Sequence, residues 1–260
     1  MRATRWPNTI LHKSLEKIPS WVERTDPRSF EAIFERYDEF DLVWVHIGLS
    51  DVNSALPGNP YKNVMNALTA NFENILATGF THYFRKSRVY DKQHSRPGHG
   101  TFARLFFNDA DYRTNDAIKS ILVQGEYRFD ECNHRNTYAK DGCFEQVKND
   151  NALTISIGTP WLICSYFHHI EANHSAPYMP AKEFEGVMHN NGSISEITQT
   201  THMYDGIWTF NKLKLQRHLR AAGILDEYDL NGLSIFAASI SEIDTFVSKK
   251  IKQDPYYLVT

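Results

Sequence analysis

Residues 165–178, SYFHHIEANHSAPY, hold the densest set of side chains that could do chemistry. His168 and Glu171 are three positions apart, and on a helix that spacing places them on one face within hydrogen-bonding range. A carboxylate beside an imidazole raises its basicity and fixes its tautomer, which a general base needs in order to deprotonate an ammonium. We therefore predict that His168 is a catalytic base oriented by Glu171. The alternative interpretation is a surface ion pair without function.

The same segment also offers metal-ligating side chains, at His168, His169, Glu171 and His174. An H-x-x-E pair could begin an inverted zincin motif, but that motif needs His at 172, where the chain has Ala172. No H-E-x-x-H occurs, and adjacent helix positions cannot face one ion without strain. We expect no metal, and a zinc-dependent hydrolase remains an alternative function that a zinc assay would separate.

Motifs for nucleophilic catalysis and phosphate binding are weaker. No G-x-S-x-G elbow occurs, and Cys164 lies in an apolar segment, where we predict a small core residue. Gly48 and the Gly158 turn do not form Walker or Rossmann phosphate loops. The basic stretch 85–100, RKSRVYDKQHSRPGHG, joined by Arg113, could hold phosphates or form a solvated loop.

Composition and charge limit the classes of partner that the chain is expected to bind. It has 260 residues and a formal net charge of -3, so no global basic field favours nucleic acid. No window approaches the ~20 apolar residues of a membrane helix, and the N-terminus lacks the apolar core of a signal peptide. Three cysteines without a C-x-x-C pair predict no disulfide framework and a cytoplasmic protein. We expect neither nucleic acid nor membrane as a partner.

The elements that must position these residues follow from the hydrophobic pattern. Helices are predicted at 9–18, 29–40, 64–76, 161–172, 214–223 and 242–251. Strands are predicted at 42–47, 75–84, 118–123, 153–157, 193–203 and 233–240. The alternation predicts an α/β fold, with a mixed central sheet layered with helices, in one domain over residues 1–260. His168 would lie on the helix after strand 153–157, where sheets of this class bind ligands.

Six segments, in order, resemble the aminoglycoside 3-N-acetyltransferase family, the antibiotic N-acetyltransferase superfamily, which is unrelated to the GNAT fold. They are LVWVHIGLS at 42–50, NVMNAL with ILATGFTHYF within 63–84, RTNDAIKS at 113–120, ISIGTP with CSYFHHIE within 155–171, APYMPAKEFEG at 176–186, and QRHLRAAG with LNGLSIFAASISEID within 216–244. Any one of them is a weak match. Six in register cover nearly the whole chain after about residue 30, and they identify a family resemblance.

This resemblance implies acetyl-CoA bound in a cleft, no metal, and direct transfer of the acetyl group to an amine through a ternary complex. The family's catalytic histidine and its adjacent glutamate correspond to His168 and Glu171. Its coenzyme A contacts correspond to Gly48, Ser50, Thr81, Arg113 and Ser120. Backbone amides near Gly48 are then expected to stabilise the tetrahedral oxyanion.

The chain departs from the family pattern on both sides of the cleft. Ile47 and Gly48 replace paired serines, so we expect a backbone contact to the cofactor in place of a hydroxyl. Ala117 replaces proline, and Met179 replaces the arginine after Pro-Tyr. These changes leave the acyl-transfer prediction in place but open the identity of the amine. They also motivate a third hypothesis, a degenerate family member that binds coenzyme A without turnover.

The charged residues of the sequence distinguish two classes of acceptor amine, polycationic and anionic. An aminoglycoside needs paired carboxylates for its ammoniums, and the sequence offers scattered ones, such as Asp205. The basic 85–100 stretch suits an anionic acceptor or the phosphates of coenzyme A. We therefore place a nucleotide-linked or anionic amino sugar slightly ahead of an aminoglycoside acetylated in antibiotic resistance, with Tyr178 and Asp205 as substrate contacts. The oligomeric state stays open, with a homodimer as one alternative.

Overall fold

The computed structural model describes residues 21–260, so the predicted helix at 9–18 lies outside the described residues. The helices are α1 (Pro27–Phe34), α2 (Leu49–Ala55), α3 (Pro60–Asn71), α4 (Phe84–Ser87), α5 (Thr101–Asp109), α6 (Cys143–Asn149), α7 (Phe167–Asn173), α8 (Lys212–Ala221) and α9 (Ile240–Gln253). The strands are β1 (Leu42–Ile47), β2 (Asn74–Thr78), β3 (Val89–Asp91), β4 (Tyr112–Arg113), β5 (Ile121–Gln124), β6 (Leu153–Ile157), β7 (Ala181–Asn190), β8 (Ser193–His202), β9 (Asp226–Leu230) and β10 (Leu233–Ser239).

A seven-stranded mixed sheet lies at the centre, in the order β4-β5-β2-β1-β6-β10-β9. β1 pairs in parallel with β2 on one side and with β6 on the other, and the flanking pairs are antiparallel. The carboxyl ends of β2, β1 and β6 therefore meet at one edge. Because the connection changes direction at β1, this edge is the switch point at which α/β sheets bind ligands. The predicted mixed α/β sheet is confirmed.

Both faces of this sheet are buried, which explains why β1 reads as an unbroken apolar run. Trp44 packs into a cluster that includes residues of α7 and α9, such as Ile170 and Ile243. Its neighbours Val43 and Val45 point to the opposite face, into the cluster with α1 and α3. Packing on both faces therefore holds the central strands in place, and with them the side chains at their carboxyl ends.

A second sheet, in the order β3-β7-β8, stands beside the first. The hairpin of β7 and β8 turns at Asn191 and Gly192, whose φ angles of 48° and 81° are those of a two-residue turn, as the Asn-Asn-Gly signal predicts. The basic stretch 85–100 contributes the end of α4 and β3, which pairs in parallel with β7. This stretch is therefore structured, and it spans from the first sheet to the second.

Several predicted boundaries are wrong. The helix expected at 161–172 begins only at Phe167, because Ser156 Oγ bonds both the backbone N–H and the carbonyl of Ile163 and holds that segment irregular. Helix α3 ends at Asn71, and the strands expected at 75–84 and 118–123 are the shorter β2 and β5. β7, β9 and the short β3 and β4 were not predicted, since their alternation is weak or their length small.

The prediction of no disulfide is also wrong. Cys132 and Cys143 form a disulfide across a Cα–Cα distance of 5.3 Å. The intervening residues turn back on themselves, with Asn133 N–H donating to Asp141 O at 2.7 Å, and sequence spacing alone does not show such a loop. Cys164 is buried at 6% exposure, which confirms it as a core residue.

Within residues 21–260, no helix combines the length and the apolar character needed to cross a bilayer.

Gly48 and Gly158 fix the approach of two strand ends. A Cβ added at Gly48 would overlap the carbonyl oxygen of Gly158, whereas one added at Gly98 would lie 3.6 Å from Phe80 O, an ordinary contact. We expect Gly48→Ala to lower the free energy of unfolding by about 1–3 kcal/mol, because the β1 and β6 ends must separate. Gly98→Ala should change it by less than about 0.5 kcal/mol. Urea unfolding of both variants checks this, and equal midpoints would contradict it.

Candidate active site

His168 and Glu171 pair in the first half of α7, next to the carboxyl edge of the parallel strands. His168 Nδ1 lies 2.7 Å from Glu171 Oε2, and the side chains are 32% and 0% exposed. A carboxylate accepts, so Nδ1 carries the hydrogen and the second ring nitrogen, Nε2, carries a lone pair. The predicted pair is therefore formed, with the geometry of a base whose tautomer is fixed.

Two tyrosines complete the environment of the Glu171 carboxylate. Tyr178 OH donates to Oε1 at 2.9 Å, and Tyr204 OH donates to Oε1 at 2.9 Å and lies 3.2 Å from Oε2. Burial and the carboxylate charge raise the pKa of both phenols, so both remain donors. Three donors therefore satisfy this fully buried carboxylate, which holds His168 in one orientation.

Lys119 approaches the same carboxylate from another element. It is 9% exposed, its ammonium donates to Tyr138 OH, and it lies 5.3 Å from the centroid of the Phe80 ring. Burial lowers the Lys119 pKa to about 8, although the charges of Asp116 and Glu171 oppose that shift. Within residues 21–260, Tyr138 is the single hydrogen-bond partner of this ammonium, which has three N–H donors.

His82, His99 and Arg85 lie near Lys119, and we call these four residues the cationic wall. The rings of His82 and His99 lie 4.8 Å apart, and Arg85 Nε donates to His82 O at 3.0 Å. Burial, reinforced by the charges of Lys119, His99 and Arg85, lowers the His82 pKa to about 3. The pKa of His99 also falls, first through burial and then through Lys119. Lys119 and Arg85 are thus the cations of this wall, and the two histidines are neutral.

His46 lies at the end of β1, below α7. Its Nε2 is 3.0 Å from Ser165 Oγ, which joins the strand end to the segment that leads into the helix. Its Nδ1 is buried without a partner among the described residues, and burial lowers its pKa to about 4. This histidine is therefore neutral at physiological pH.

A small apolar cleft opens on the other side of His168. It has a volume of about 160 Å³ and is lined by Trp161, Leu162, Ile163, Cys164, Phe167, His168, Phe210 and Lys212. Lys212 lies 4.3 Å above the Trp161 ring. The imidazole thus stands between an apolar surface and the cationic wall.

Three of the residues expected to contact the cofactor are buried in a structural network. Arg113 is 5% exposed, and four of its five N–H groups donate to Ser120 Oγ and to the carbonyls of Lys92, Ser95 and Gly79. Ser120 Oγ donates to Gly79 O, and Thr81 Oγ1 donates to Ala117 O at 2.7 Å. The internal bonds of Thr81, Arg113 and Ser120 show a structural role, and their predicted contacts with coenzyme A stay predictions. These side chains tie the 79–95 segment to β4 and β5.

The other predicted contacts divide between surface and interior. Gly48 N–H donates to Ile157 O at 2.8 Å, so the amides near Gly48 that have no strand partner are those of the first turn of α2, where Ser50 is exposed. Tyr178 is buried at 1% exposure and bonds Glu171, so it supports the base, and its predicted substrate contact stays a prediction. Asp205 is exposed, next to Tyr204, at the rim.

The histidine cluster does not converge on one point. His169 is 1% exposed, and its Nε2 lies 2.8 Å from Glu145 Oε2, away from His168. Among residues 21–260, a group of three ligand atoms close enough for one ion occurs only elsewhere, at Cys132, His134 and Cys143. The arrangement gives no support to a hydrolase built on residues 168–174.

Sequence analysis missed Tyr204, Lys119 and His82, whereas it named the basic stretch 85–100, which contains Arg85 and His99, as a candidate site for phosphates or an anionic acceptor. Tyr204 follows the β8 strand and reaches Glu171 across 33 positions, and no local spacing reveals such a contact. Lys119 lies inside the RTNDAIKS segment, where a lysine directly after the apolar pair Ala117-Ile118 was the available signal.

Comparison with known proteins adds an independent finding. The sequence model of the family described as aminoglycoside 3-N-acetyltransferase matches residues 62–252. Among proteins of curated function, none matches the chain.

Solved structures share the fold at low identity. A structure described as AAC-IIIb binary with CoASH is 13% identical, with a TM-score of 0.71 over 89% of this chain and 97% of that chain. The YokD protein from Bacillus subtilis is 14% identical, with a TM-score of 0.71 over 89% and 94%. The aminoglycoside acetyltransferase AAC(3)-Xa is 13% identical, with a TM-score of 0.71 over 97% and 99%.

The buried His46 makes stability depend on pH. Its pKa is about 4 in the fold and about 6.5 when unfolded, so below pH 6.5 the unfolded chain binds the extra proton and stability falls as the pH falls towards 4. We expect His46→Gln to reduce the loss of unfolding free energy between pH 7 and pH 5 by about 1–2 kcal/mol. Urea unfolding at both pH values measures this. An unchanged loss would show that His46 is not the group responsible.

Proposed function

Because the chain belongs to the aminoglycoside 3-N-acetyltransferase family, which makes it an N-acyltransferase, we propose that it moves an acetyl group from acetyl-CoA to an amine. The observation that carries this proposal is the His168 imidazole, held through Nδ1 by a fully buried carboxylate. Its Nε2 is available to a substrate in the cleft. Both substrates are bound together in this mechanism, and no covalent acyl-enzyme is formed, since Cys164 is buried with its pKa raised to about 11.

In the proposed transfer step, one proton moves from the acceptor amine to His168 and then to the thiolate of coenzyme A. His168 Nε2 takes a proton from the acceptor amine while the nitrogen attacks the thioester carbonyl carbon. The new C–N bond gives a tetrahedral oxyanion, which collapses by breaking the C–S bond. The thiolate of coenzyme A then takes the proton from the imidazolium. Glu171 stabilises that transient cation through its bond to Nδ1, while Tyr178 and Tyr204 hold the carboxylate in place.

The donor and the acceptor approach His168 from different sides in this proposal. The apolar cleft beside Trp161 and Phe210 suits the thioester end of acetyl-CoA, since its lining is apolar and it borders the imidazole. The acceptor then faces Lys119, Arg85, His82 and His99. Amides in the first turn of α2, after Gly48, are candidates to receive the oxyanion, since a helix leaves these donors without intrahelical partners.

The acceptor proposed here carries a negative charge near its amine, as a nucleotide-linked or acidic amino sugar does. Lys119 is nine-tenths buried, bonds Tyr138 alone among residues 21–260, and lies near the charge of Arg85. Such a wall attracts an anion and repels a polycation. Two carboxylates act on the Lys119 charge, Asp116 and Glu171. Glu171 accepts from three side chains, and Asp116 accepts from Thr137 Oγ1 and from two backbone amides.

An aminoglycoside acceptor is the second candidate. It is favoured by the family itself, and by Asp205, an exposed carboxylate at the rim next to Tyr204 that could pair with one ammonium. The two candidates differ in the sign of charge that the cleft must bind, so acceptor kinetics distinguish them.

Removal of the base tests the reaction itself. We expect His168→Gln to lower kcat at least about 100-fold with little change in the Kd of coenzyme A, because a general base contributes that much to the rate. His189→Gln on β7 is the control, since it removes an imidazole far along the hairpin. Release of coenzyme A thiol measures turnover. Near-wild-type turnover in the His168 variant would contradict the proposal, and absent turnover in both wild type and variant with tight coenzyme A binding would favour a binding module.

Neutralising Lys119 tests the acceptor. We expect Lys119→Met to raise KM for an anionic amino sugar at least about tenfold, with a smaller effect on an uncharged amine, because a buried charge-assisted bond contributes about 1.5–3 kcal/mol. Lys86→Met on the exposed side of α4 is the matched control. Thermal unfolding verifies that the variant folds. Equal effects on both acceptors, or faster turnover of an aminoglycoside than of either, would assign the second candidate.

A further inference from the structure

The loop between β5 and α6 brings two sulfurs and an imidazole nitrogen together, away from His168. The ligand atoms of Cys132, His134 and Cys143 all lie within 4.8 Å of one another. His134 Nδ1 is 3.3 Å from Cys143 Sγ, and it accepts the N–H of Asn115 at 3.3 Å. In the structure the two sulfurs are joined as a disulfide. Nothing in the acyl-transfer mechanism uses this cluster.

The donor set has the composition of a zinc site. Two thiolates and one imidazole are ligands that Zn²⁺ prefers, and three protein ligands leave a fourth position for water. Cys132 and His134 come from the loop and Cys143 from the first residue of α6, so three ligands from two elements converge without a change in the path of the chain. We propose that, when the disulfide is reduced, Cys132, His134 and Cys143 bind a thiophilic divalent cation, zinc.

The two states exchange through a balanced reaction. A dithiol reductant gives two electrons to the Cys132–Cys143 bond, so the reductant becomes a disulfide and the protein sulfurs become two thiols. The cation then replaces the two thiol protons, and those protons pass to solvent. The disulfide and the bound metal are therefore two alternative ways of linking the ends of the loop at residues 132–143.

The surroundings give a cation access to this cluster. Cys132 lines an open polar cleft of about 580 Å³, and Cys143 lies beneath it. The charged residues that line the cleft are Asp130, Glu131, Asp141, Glu145, Asp150, Arg128 and Lys140. Lys148 pairs with Glu145, so five carboxylates face three cations and the entrance keeps a negative charge that attracts a divalent cation. Lys92 and Arg135 act on His134 from the other side, opposed by Asp130.

The closed loop supports the cationic wall of the acyl-transfer cleft. Between the two cysteines, Thr137 Oγ1 donates to Asp116 Oδ2 at 2.6 Å, and Tyr138 OH accepts from Lys119. Either closure holds these two residues against the wall. The metal site itself does not depend on the proposed acetyl transfer, and its test needs no substrate.

Cobalt is the probe for this site. The purified chain, reduced with a phosphine that does not chelate metals, should bind one Co²⁺ per chain with a thiolate-to-cobalt charge-transfer band in the near ultraviolet. Zn²⁺ should displace the cobalt. The same chain with its disulfide intact should show no such band. This comparison uses one protein in two states, so it does not depend on whether a variant folds.

Variants assign the ligands. Cys132→Ser and Cys143→Ser should each remove at least half of the charge-transfer intensity, and His134→Asn should weaken cobalt binding at least about tenfold. Cys164→Ser, which changes the buried third cysteine, should keep the wild-type spectrum and affinity. Zn²⁺ should also raise the Tm of the reduced wild-type chain but not that of a chain with both loop cysteines changed. The proposal is overturned if the reduced wild type binds no cobalt, or if the double variant binds it equally tightly.

Discussion

The carboxylate of Glu171 is the constraint on which the site depends. A charge with no solvent exposure is costly unless donors surround it, and here three side chains supply them: His168, Tyr178 and Tyr204. These donors come from α7, from the segment after it and from the end of β8. Satisfying one carboxylate therefore fixes three parts of the chain and leaves His168 with its Nε2 lone pair towards the cleft. The same carboxylate opposes the loss of the Lys119 charge, so it couples the base to the cationic wall.

The sheet gives this carboxylate its place. β2, β1 and β6 run parallel, and Gly48 and Gly158 let the ends of β1 and β6 approach more closely than any side chain would allow. His46 bridges β1 to Ser165 just before α7. The buried network of Arg113 and Ser120 ties the segment after β2 to β4 and β5. The walls of the cleft are thus held by backbone contacts and buried polar bonds.

Sequence analysis identified the fold class, the central strands and the His168–Glu171 pair, because each follows from the spacing of residues that are close in sequence. An apolar run marks β1, and a spacing of three marks one helix face. It failed where the meaning of a residue depends on distant contacts. Arg113 and Ser120 are motif residues, and only the fold reveals that they bond to each other and to backbone carbonyls. The Tyr204 contact and the Cys132–Cys143 bond likewise depend on how loops return to the sheet.

A double-mutant cycle on kcat tests most directly whether Glu171 acts through His168. The four proteins are the wild type, Glu171→Gln, His168→Gln and the double variant, each checked by thermal unfolding. If the carboxylate serves only to orient and balance the imidazole, Glu171→Gln should slow the wild type but leave the His168→Gln protein nearly unchanged, so the two losses are strongly non-additive. Losses that multiply in the double variant would contradict this account, because Glu171 would then contribute to turnover independently of the histidine.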